Sequence, residues 1–409
     1  MLHNTVPERK TTEVSRTSGS RSAPVYLDGF ATLPLASEAR SAMMDAWDLP
    51  GNAGSPNASG ERAAQIIATA RTEVASLLGA AASEIIFTSG ATEANNLALI
   101  GVAAAAKPLL KRRRIIVSAV EHKSVLEPAV HLGTQGFEIS IAPVDGRGRL
   151  DLDAFTALLD ENVLLISVML VNNETGVIQP VAEAAALARR VGAFVHSDAA
   201  QALGKIQIDV SQLDVDYLSI SAHKCYGPMG VGALYMAAGM PSPIPLMHGG
   251  GQQSGIRPGT EPVPLIAGFG AAAVAASAAL AESKSTKTSS KIDRLLDALS
   301  KQQVRYRRIT GDHPVVPGSA AISIDGVDAD NLCAQVAHAV SLSTGSACNS
   351  GQLRMSHVLE AMGFSENTAR SVVRILCGRT STDDDIDLAA EAIVRSIRRS
   401  HLATGEVRQ

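Results

Sequence analysis

The sequence predicts an α/β fold, a mostly parallel sheet covered by helices on both faces, followed by a smaller α+β unit. Three observations carry that expectation. Continuous apolar runs alternate with helix-spaced stretches from about Ala36 to Tyr235, the composition shifts near Pro258 to Pro264, and strand-like and helical segments then mix toward the C-terminus. Unbroken apolar runs, as opposed to alternating ones, are what strands buried on both faces require.

Taken in order, Ala58 to Leu78 has helical apolar spacing, Glu84 to Phe87 is a short strand, and Ala91 to Val102 is a helix. Buried strands follow at Ile115 to Val117, Val163 to Val171, Ala193 to Ser197, Tyr217 to Ser221 and Val231 to Tyr235. An Ala-rich helix over Leu265 to Ala281 is expected to break at the polar Ser283 to Ser290. Beyond it, Ala320 to Ile324 and Val372 to Leu376 read as strands, and Ala329 to Val340 and Asp384 to Arg398 as helices. The domain expectation is a polar disordered tail over 1–24, a large domain over 25–262 whose first residues can pack on the small one, and a small domain over 263–409.

Composition narrows the function classes. The 409 residues are 46% hydrophobic and 19% charged, and 36 basic against 40 acidic side chains leave a net charge of -4. That balance gives no reason to expect nucleic-acid binding, and the Lys111-Arg112-Arg113-Arg114 run reads as a solvated strand entry before Ile115. No apolar run is expected to span a bilayer, and the N-terminal stretch lacks the apolar core of a secretory signal. Cys225, Cys333, Cys348 and Cys377 show neither metal-ligand nor disulfide spacing, so no metal is expected and a reducing, cytoplasmic setting fits.

Three segments carry chemistry. Ser221-Ala222-His223-Lys224 ends an apolar strand before Tyr226-Gly227-Pro228, and a lysine desolvated at such a turn is freed to form a Schiff base. Alone, it reads better as an ordinary surface lysine at a strand end. Val195 to Gln201 sets Asp198 at a strand's carboxyl end, where α/β sheets hold ligands, although Asp before Ala-Ala-Gln is also a helix N-cap. Phe87-Thr88-Ser89-Gly90-Ala91-Thr92-Glu93 is a strand, a small-residue turn and a helix start, a place for a phosphate.

Their order, cradle then aspartate then lysine, resembles the cysteine desulfurases of the class-V aminotransferase group, fold-type I pyridoxal-phosphate enzymes. Further matching pieces are Tyr26-Leu27-Asp28, Gly60-Glu61-Arg62, Glu121-His122, Val171-Asn172-Asn173-Glu174 and His248-Gly249-Gly250-Gly251-Gln252, with Arg257-Pro258-Gly259-Thr260, Gly345-Ser346-Ala347-Cys348, and Arg374 ahead of Gly378-Arg379. The likeness spans about Val25 to Ala390. It implies a seven-stranded type of sheet in the large domain.

The resemblance also implies roles. Lys224 carries pyridoxal 5'-phosphate and moves protons, and Asp198 keeps its ring nitrogen protonated. His122 stacks on the ring and can act as acid or base, while Gln201 and Asn173 bond the ring hydroxyl or substrate groups. Ala91, Thr92, Ser221 and His223 hold the phosphate. Thr260 reaches it from a partner subunit, which implies a homodimer. Arg374 clamps the substrate carboxylate. Cys348, in a run of small polar residues that reads as a loop, attacks the sulfur of L-cysteine and keeps it as a persulfide, releasing alanine. Cys348 to His357 shows no shortening, which resembles the subgroup whose long cysteine loop passes sulfur to an acceptor protein. Iron–sulfur cluster assembly, tRNA thiolation and DNA phosphorothioation would all use that donor chemistry.

The chain departs from the family's pattern at Gly29, Phe30 and Leu33, near the expected substrate pocket. Carbon–selenium cleavage of selenocysteine would use the same residues. Amino transfer needs no loop thiol, and an inactive scaffold has no need of Lys224, Asp198, His122 and Cys348 together.

Overall fold

A computed structural model describes residues 23–106, 111–282, 284–344 and 355–403. The first strand, β1 (Val25–Tyr26), stays outside the main sheet. Seven strands build that sheet: β2 (Ile85–Thr88), β3 (Arg114–Ser118), β4 (Glu138–Ala142), β5 (Val163–Ser167), β6 (Phe194–Asp198), β7 (Tyr217–Ser221) and β8 (Gly232–Met236). Their order is β2-β8-β7-β6-β5-β3-β4. The run from β4 to β7 is parallel, and β8 lies antiparallel between β7 and β2. This direction pattern brings the carboxyl ends of β2, β3, β5, β6 and β7 to one edge, together with the start of β8. Ligands in open α/β sheets bind at such an edge.

The rest of the chain adds β9 (Tyr306–Arg308), β10 (Ser319–Ile324), β11 (Val340–Ser341), β12 (Ser343–Thr344) and β13 (Val372–Leu376). Four of these form an antiparallel sheet in the order β12-β13-β10-β9. β1 pairs in parallel with β11, so the beginning of the chain is stitched to its second half. Leu27 and Val25 are buried in one apolar cluster with Leu295, Ile322, Val373 and Ile393. The larger cluster lies on the main sheet, where Ile166, Val195 and Leu218 meet Val74 and Leu78 of the Ala58–Leu78 helix and Phe269 of the Val263–Ala281 helix.

The expected elements are present, with local corrections. The Val163 strand stops at Ser167, because the buried apolar residues after it form the turn that carries Asn172 and Asn173. The expected helix to Val340 ends at Val336, and Val340 instead pairs with Val25. The polar stretch after Ala281 lies within the Lys284–Lys301 helix. Ile292, Leu295, Leu296 and Leu299, at helical spacing, bury that helix's apolar side.

The Val263–Ala281 helix corrects the expectation that no apolar run reaches membrane length. By length and composition it is apolar enough to cross a bilayer, yet 50% of it is buried inside the protein. It packs along the Ser37–Trp47 and Ala58–Leu78 helices, where Gly268 and Gly270 leave room for Met43 and Ala70.

Candidate active site

A cavity of about 590 Å³ opens at the carboxyl edge of the main sheet. It brings together Lys224, His122, Ala91, Thr92, Asn173, Asp198, Gln201, Ser221, His223 and Arg374. Except for Arg374, which comes from β13, these residues meet because five strands of the main sheet end at one place.

One wall is the turn after β2. Gly90 caps the Ala91–Asn96 helix, whose first residues, Ala91 and Thr92, line the cavity. A Cβ on Gly232 of β8 would stand 2.7 Å from the Gly90 Cα and 2.4 Å from the Ile220 carbonyl oxygen, so a glycine is needed for this close packing. Glu93 ties the turn down. Its carboxylate accepts the Ser89 N–H at 2.6 Å and pairs with Arg257 at 3.0 Å.

Asp198 ends β6 and is buried. Its Oδ2 accepts from Asn95 Nδ2 at 2.7 Å and its Oδ1 from the Ala200 N–H at 2.9 Å. Asn95 Nδ2 also donates to Ser124 Oγ at 2.8 Å. A buried carboxylate with only neutral donors around it still favours a cation.

His122 caps the Lys123–Thr134 helix, and its Nδ1 accepts the Ser124 N–H at 3.1 Å. With that lone pair engaged, the proton of the neutral ring sits on Nε2. Burial holds the imidazole below its ordinary range; Asp198 opposes the shift, and Lys224, His357 and Lys123 add to it. The backbone just before it is clamped. Asn172 Nδ2 donates to the Val120 carbonyl at 2.9 Å, and His357 Nε2 lies 2.8 Å from the Glu121 carbonyl oxygen.

Lys224 leaves the turn after β7 and donates from Nζ to the carbonyls of Phe30 at 2.6 Å and Ala31 at 2.7 Å. Gln201 Nε2 donates to the same Phe30 carbonyl at 2.8 Å, while its Oε1 is buried with no partner among the described residues. The His223 imidazole is pushed down to about 4 by burial and the nearby Lys224 and Lys205, and so stays neutral.

The far wall belongs to β13. Buried Arg374 donates to the Asn173 carbonyl at 3.1 Å and pairs with Asp28 at 3.3 Å, and its Nε has no partner among the described residues. Asp28 also accepts from Ser343 Oγ at 2.5 Å. Two further carboxyls are held up by burial, Glu121 to about 8 and Glu174 to about 7.

Two expected residues stand apart. Thr260 is exposed and does not line the cavity. Cys348 lies outside the described residues. Burial pushes the other thiols up, Cys225 to about 11 and Cys333 and Cys377 to about 12, which leaves them poor nucleophiles. Among the described residues no three His, Cys, Asp or Glu side chains gather as a metal site.

Asp28, Asn95 and Ser124 were not singled out from sequence. Asn95 sits three residues after Thr92 on one helix, a spacing that places both on one face. Asp28 stands in the quoted Tyr26-Leu27-Asp28 motif. The departures nearby have packing reasons. A Cβ on Gly29 would meet Leu376 at 3.0 Å, Phe30 is buried in the main core, and Leu33 packs with Tyr226 and Ala272.

Comparison with known proteins agrees with this geometry. The model for the family Aminotransferase class-V matches residues 25–388. The chain belongs to the class-V aminotransferase family. It is 39% identical over 380 residues to "Cysteine desulfurase IscS" of Rickettsia bellii, covering 92% of each chain. A solved structure titled "NIFS-LIKE PROTEIN" superposes with a TM-score of 0.85 at 34% identity, covering 92% of this chain and 100% of that one. Another, "SspA in complex with cysteine", has a TM-score of 0.75 at 33% identity and covers 87% and 99%. The fold is therefore that of the fold-type I pyridoxal-phosphate enzymes, and the family is dependent on that cofactor.

Proposed function

We propose that this protein is a cysteine desulfurase that removes sulfur from L-cysteine, releases L-alanine and holds the sulfur as a persulfide on Cys348. The observation that carries the reading is the single cavity walled by an amine, Lys224, a buried carboxylate, Asp198, and a guanidinium fork, Arg374. Cysteine desulfurases among its relatives and a neighbour solved with cysteine support the substrate.

The residues fit pyridoxal 5'-phosphate. Asp198 would match a protonated ring nitrogen, the orphaned Gln201 Oε1 would accept from the ring hydroxyl, and Ala91, Thr92, Ser221 and His223 would hold the phosphate. Lys224 and His122 would anchor and cover the ring, and Asn173 would bond its substituents or the substrate. When bound, the cofactor supplies an electron sink that weakens bonds at the substrate's α-carbon.

The chain's own groups do the rest. Arg374 binds the substrate carboxylate through its unpartnered Nε and an adjacent terminal N–H. Lys224, between two carbonyl acceptors and the cavity, takes and returns the α-carbon proton. His122 holds an Nε2 proton at a site where burial keeps the ring neutral. The Cys348 thiolate attacks the substrate sulfur. The S–S bond forms as the C–S bond breaks, its electron pair stays with the amino acid, and that carbon takes a proton to become alanine. The balance needs no outside oxidant.

A homodimer would bring Thr260 of one subunit to the phosphate of the other, which suits its exposure here. The persulfide would pass to an acceptor protein, with iron–sulfur cluster assembly as one destination, in a cytoplasmic setting. The test is sulfide and alanine release from L-cysteine by the yellow, cofactor-loaded protein, beside Cys348→Ala and Lys224→Ala. Equimolar products lost in both variants, with colour kept only in Cys348→Ala, are expected. Cofactor binding without either product from the wild type overturns the reading.

A further inference from the structure

Lys205 has no place in the cavity, yet it touches the residue on which the site depends. Its Nζ donates to the backbone carbonyl of Lys224 at 2.8 Å. From the other side, Lys224 Nζ reaches the carbonyls of Phe30 and Ala31. The turn is therefore gripped at both its backbone and its side-chain end.

The approach of Lys205 is built by the sequence just before it. The chain leaves Asp198, turns through Ala199 to Leu203, and reaches Gly204 with φ at +68°. A Cβ at 204 would stand 2.4 Å from Cys225 Sγ, so only glycine lets this segment pass beneath Cys225. One short stretch thus holds Asp198 and Gln201 toward the cavity and Lys205 under the lysine turn.

The surroundings explain why an amine so placed acts locally. Lys205 lines a cleft of about 50 Å³ behind the turn, with Leu33, Tyr226, Cys377 and Arg379. Burial, and then the charge of Lys224, push the Lys205 amine down to about 7, with Cys225 opposing. The other groups facing it are His223 of the same turn, Tyr226 and Arg379 across the cleft, and Thr288 from the Lys284–Lys301 helix.

We propose that Lys205 is a positioning residue for Lys224, tying the Asp198 segment to the lysine turn so that the two cofactor anchors keep one geometry. The inference rests on the reading of Lys224 and Asp198 given above. A donor on the Lys224 carbonyl fixes the turn's peptide plane, and with it the direction in which the side chain enters the cavity. Loss of the donor frees the turn without touching Arg374 or Asn173.

The experiment compares Lys205→Met, which keeps bulk and loses the donor, with Lys205→Arg and Lys205→Gln, all loaded with cofactor. The readouts are the pH midpoint of the bound cofactor's absorbance and the separate kcat and KM for L-cysteine. Lys205→Met should lower kcat about tenfold with KM within about twofold, as expected for a misplaced catalytic group. Its absorbance midpoint should move to higher pH, because a cation beside Lys224 is gone. Lys205→Arg should restore the midpoint. If Lys205→Met binds cofactor with an unchanged midpoint and kcat, the residue only packs the cleft and the proposal fails. If Lys205→Met fails to fold, Lys205→Gln, with a short donor, gives the same two readouts. The absorbance titration needs no desulfurase activity, so failure of the functional reading alone leaves this test intact.

Discussion

Single side chains in this site are set by what burial does to charge. Glu121 is fully buried next to His122; its Oε1 accepts from Ser118 Oγ and the Met169 N–H, each at 2.6 Å, while Oε2 has no partner among the described residues. Desolvation dominates, and the carboxyl rises to about 8 against an ordinary 4.5. A raised folded value means that the folded state keeps a proton which the unfolded chain gives up. The stability contribution is therefore fully present below about pH 4.5 and is lost as pH rises through about 8. Glu121→Gln is neutral at every pH and nearly the same shape. Melting of the cofactor-free proteins from pH 5 to 9 should show an alkaline decline in the wild type that is flatter in the variant; parallel curves would remove Glu121 as its source. Asp198 at a strand end and Ala91 and Thr92 at a helix start stand where a sequence pattern places a ligand, whereas Arg374, in mid-strand, was named through the resemblance alone. The partners, Asn95 for Asp198 and Phe30 for Lys224, were not legible, since those contacts exist only once distant strands align.

Among the elements, the strands of continuous apolar sequence were read, including the edge strand β2, while the edge strand β4 and the short β9 were not. β4 was missed because Glu138–Ala142 has exposed and half-buried positions at the sheet's rim, which blunts the apolar run. β9 is three residues, Tyr306–Arg308, with no apolar run to see. The Val163 strand was read too long because apolar residues continue into a buried turn. In the centre of the sheet, His196 of β6 spans its neighbours, with Nδ1 2.8 Å from Ser167 Oγ on β5 and Nε2 3.0 Å from Ser219 Oγ on β7. Burial pushes the imidazole down to about 3 from 6.5. The unfolded chain takes up this proton first, so the stability tied to His196 is present above pH 6.5 and is lost as pH falls through about 3. His196→Gln should cost about 1–3 kcal/mol at neutral pH through disturbed buried hydrogen bonds. Its acid limb, followed by circular dichroism from pH 7 to 3, should be flatter than that of the wild type. An equally steep limb would place the acid sensitivity elsewhere.

At the scale of the whole molecule, the cavity is closed by parts of the chain that belong to different sheets. The main sheet supplies one wall through Asp198, Ser221 and the turn to Lys224, whereas Arg374 comes from the centre of the antiparallel sheet. Asp28 follows the strand that pairs with β11, and it bridges to Leu376. The alternation of apolar runs made the main sheet legible, but no local pattern announces that β1 joins the second half. Arg374 is the point where these parts meet, through the Asn173 carbonyl at 3.1 Å and Asp28 at 3.3 Å. Lysine would keep the charge but present one point donor in place of a planar fork, so it cannot hold Asn173, Asp28 and a carboxylate together. Arg374→Lys should raise KM for L-cysteine by about 10- to 100-fold, the worth of a lost bidentate charge-assisted contact, with a smaller fall in kcat. L-cysteinamide, which has no carboxylate to bind, serves as the control. Its kcat/KM should be nearly the same in the wild type and in Arg374→Lys. An equal loss for both substrates would mean that Arg374 holds the two sheets in register and does not bind the carboxylate.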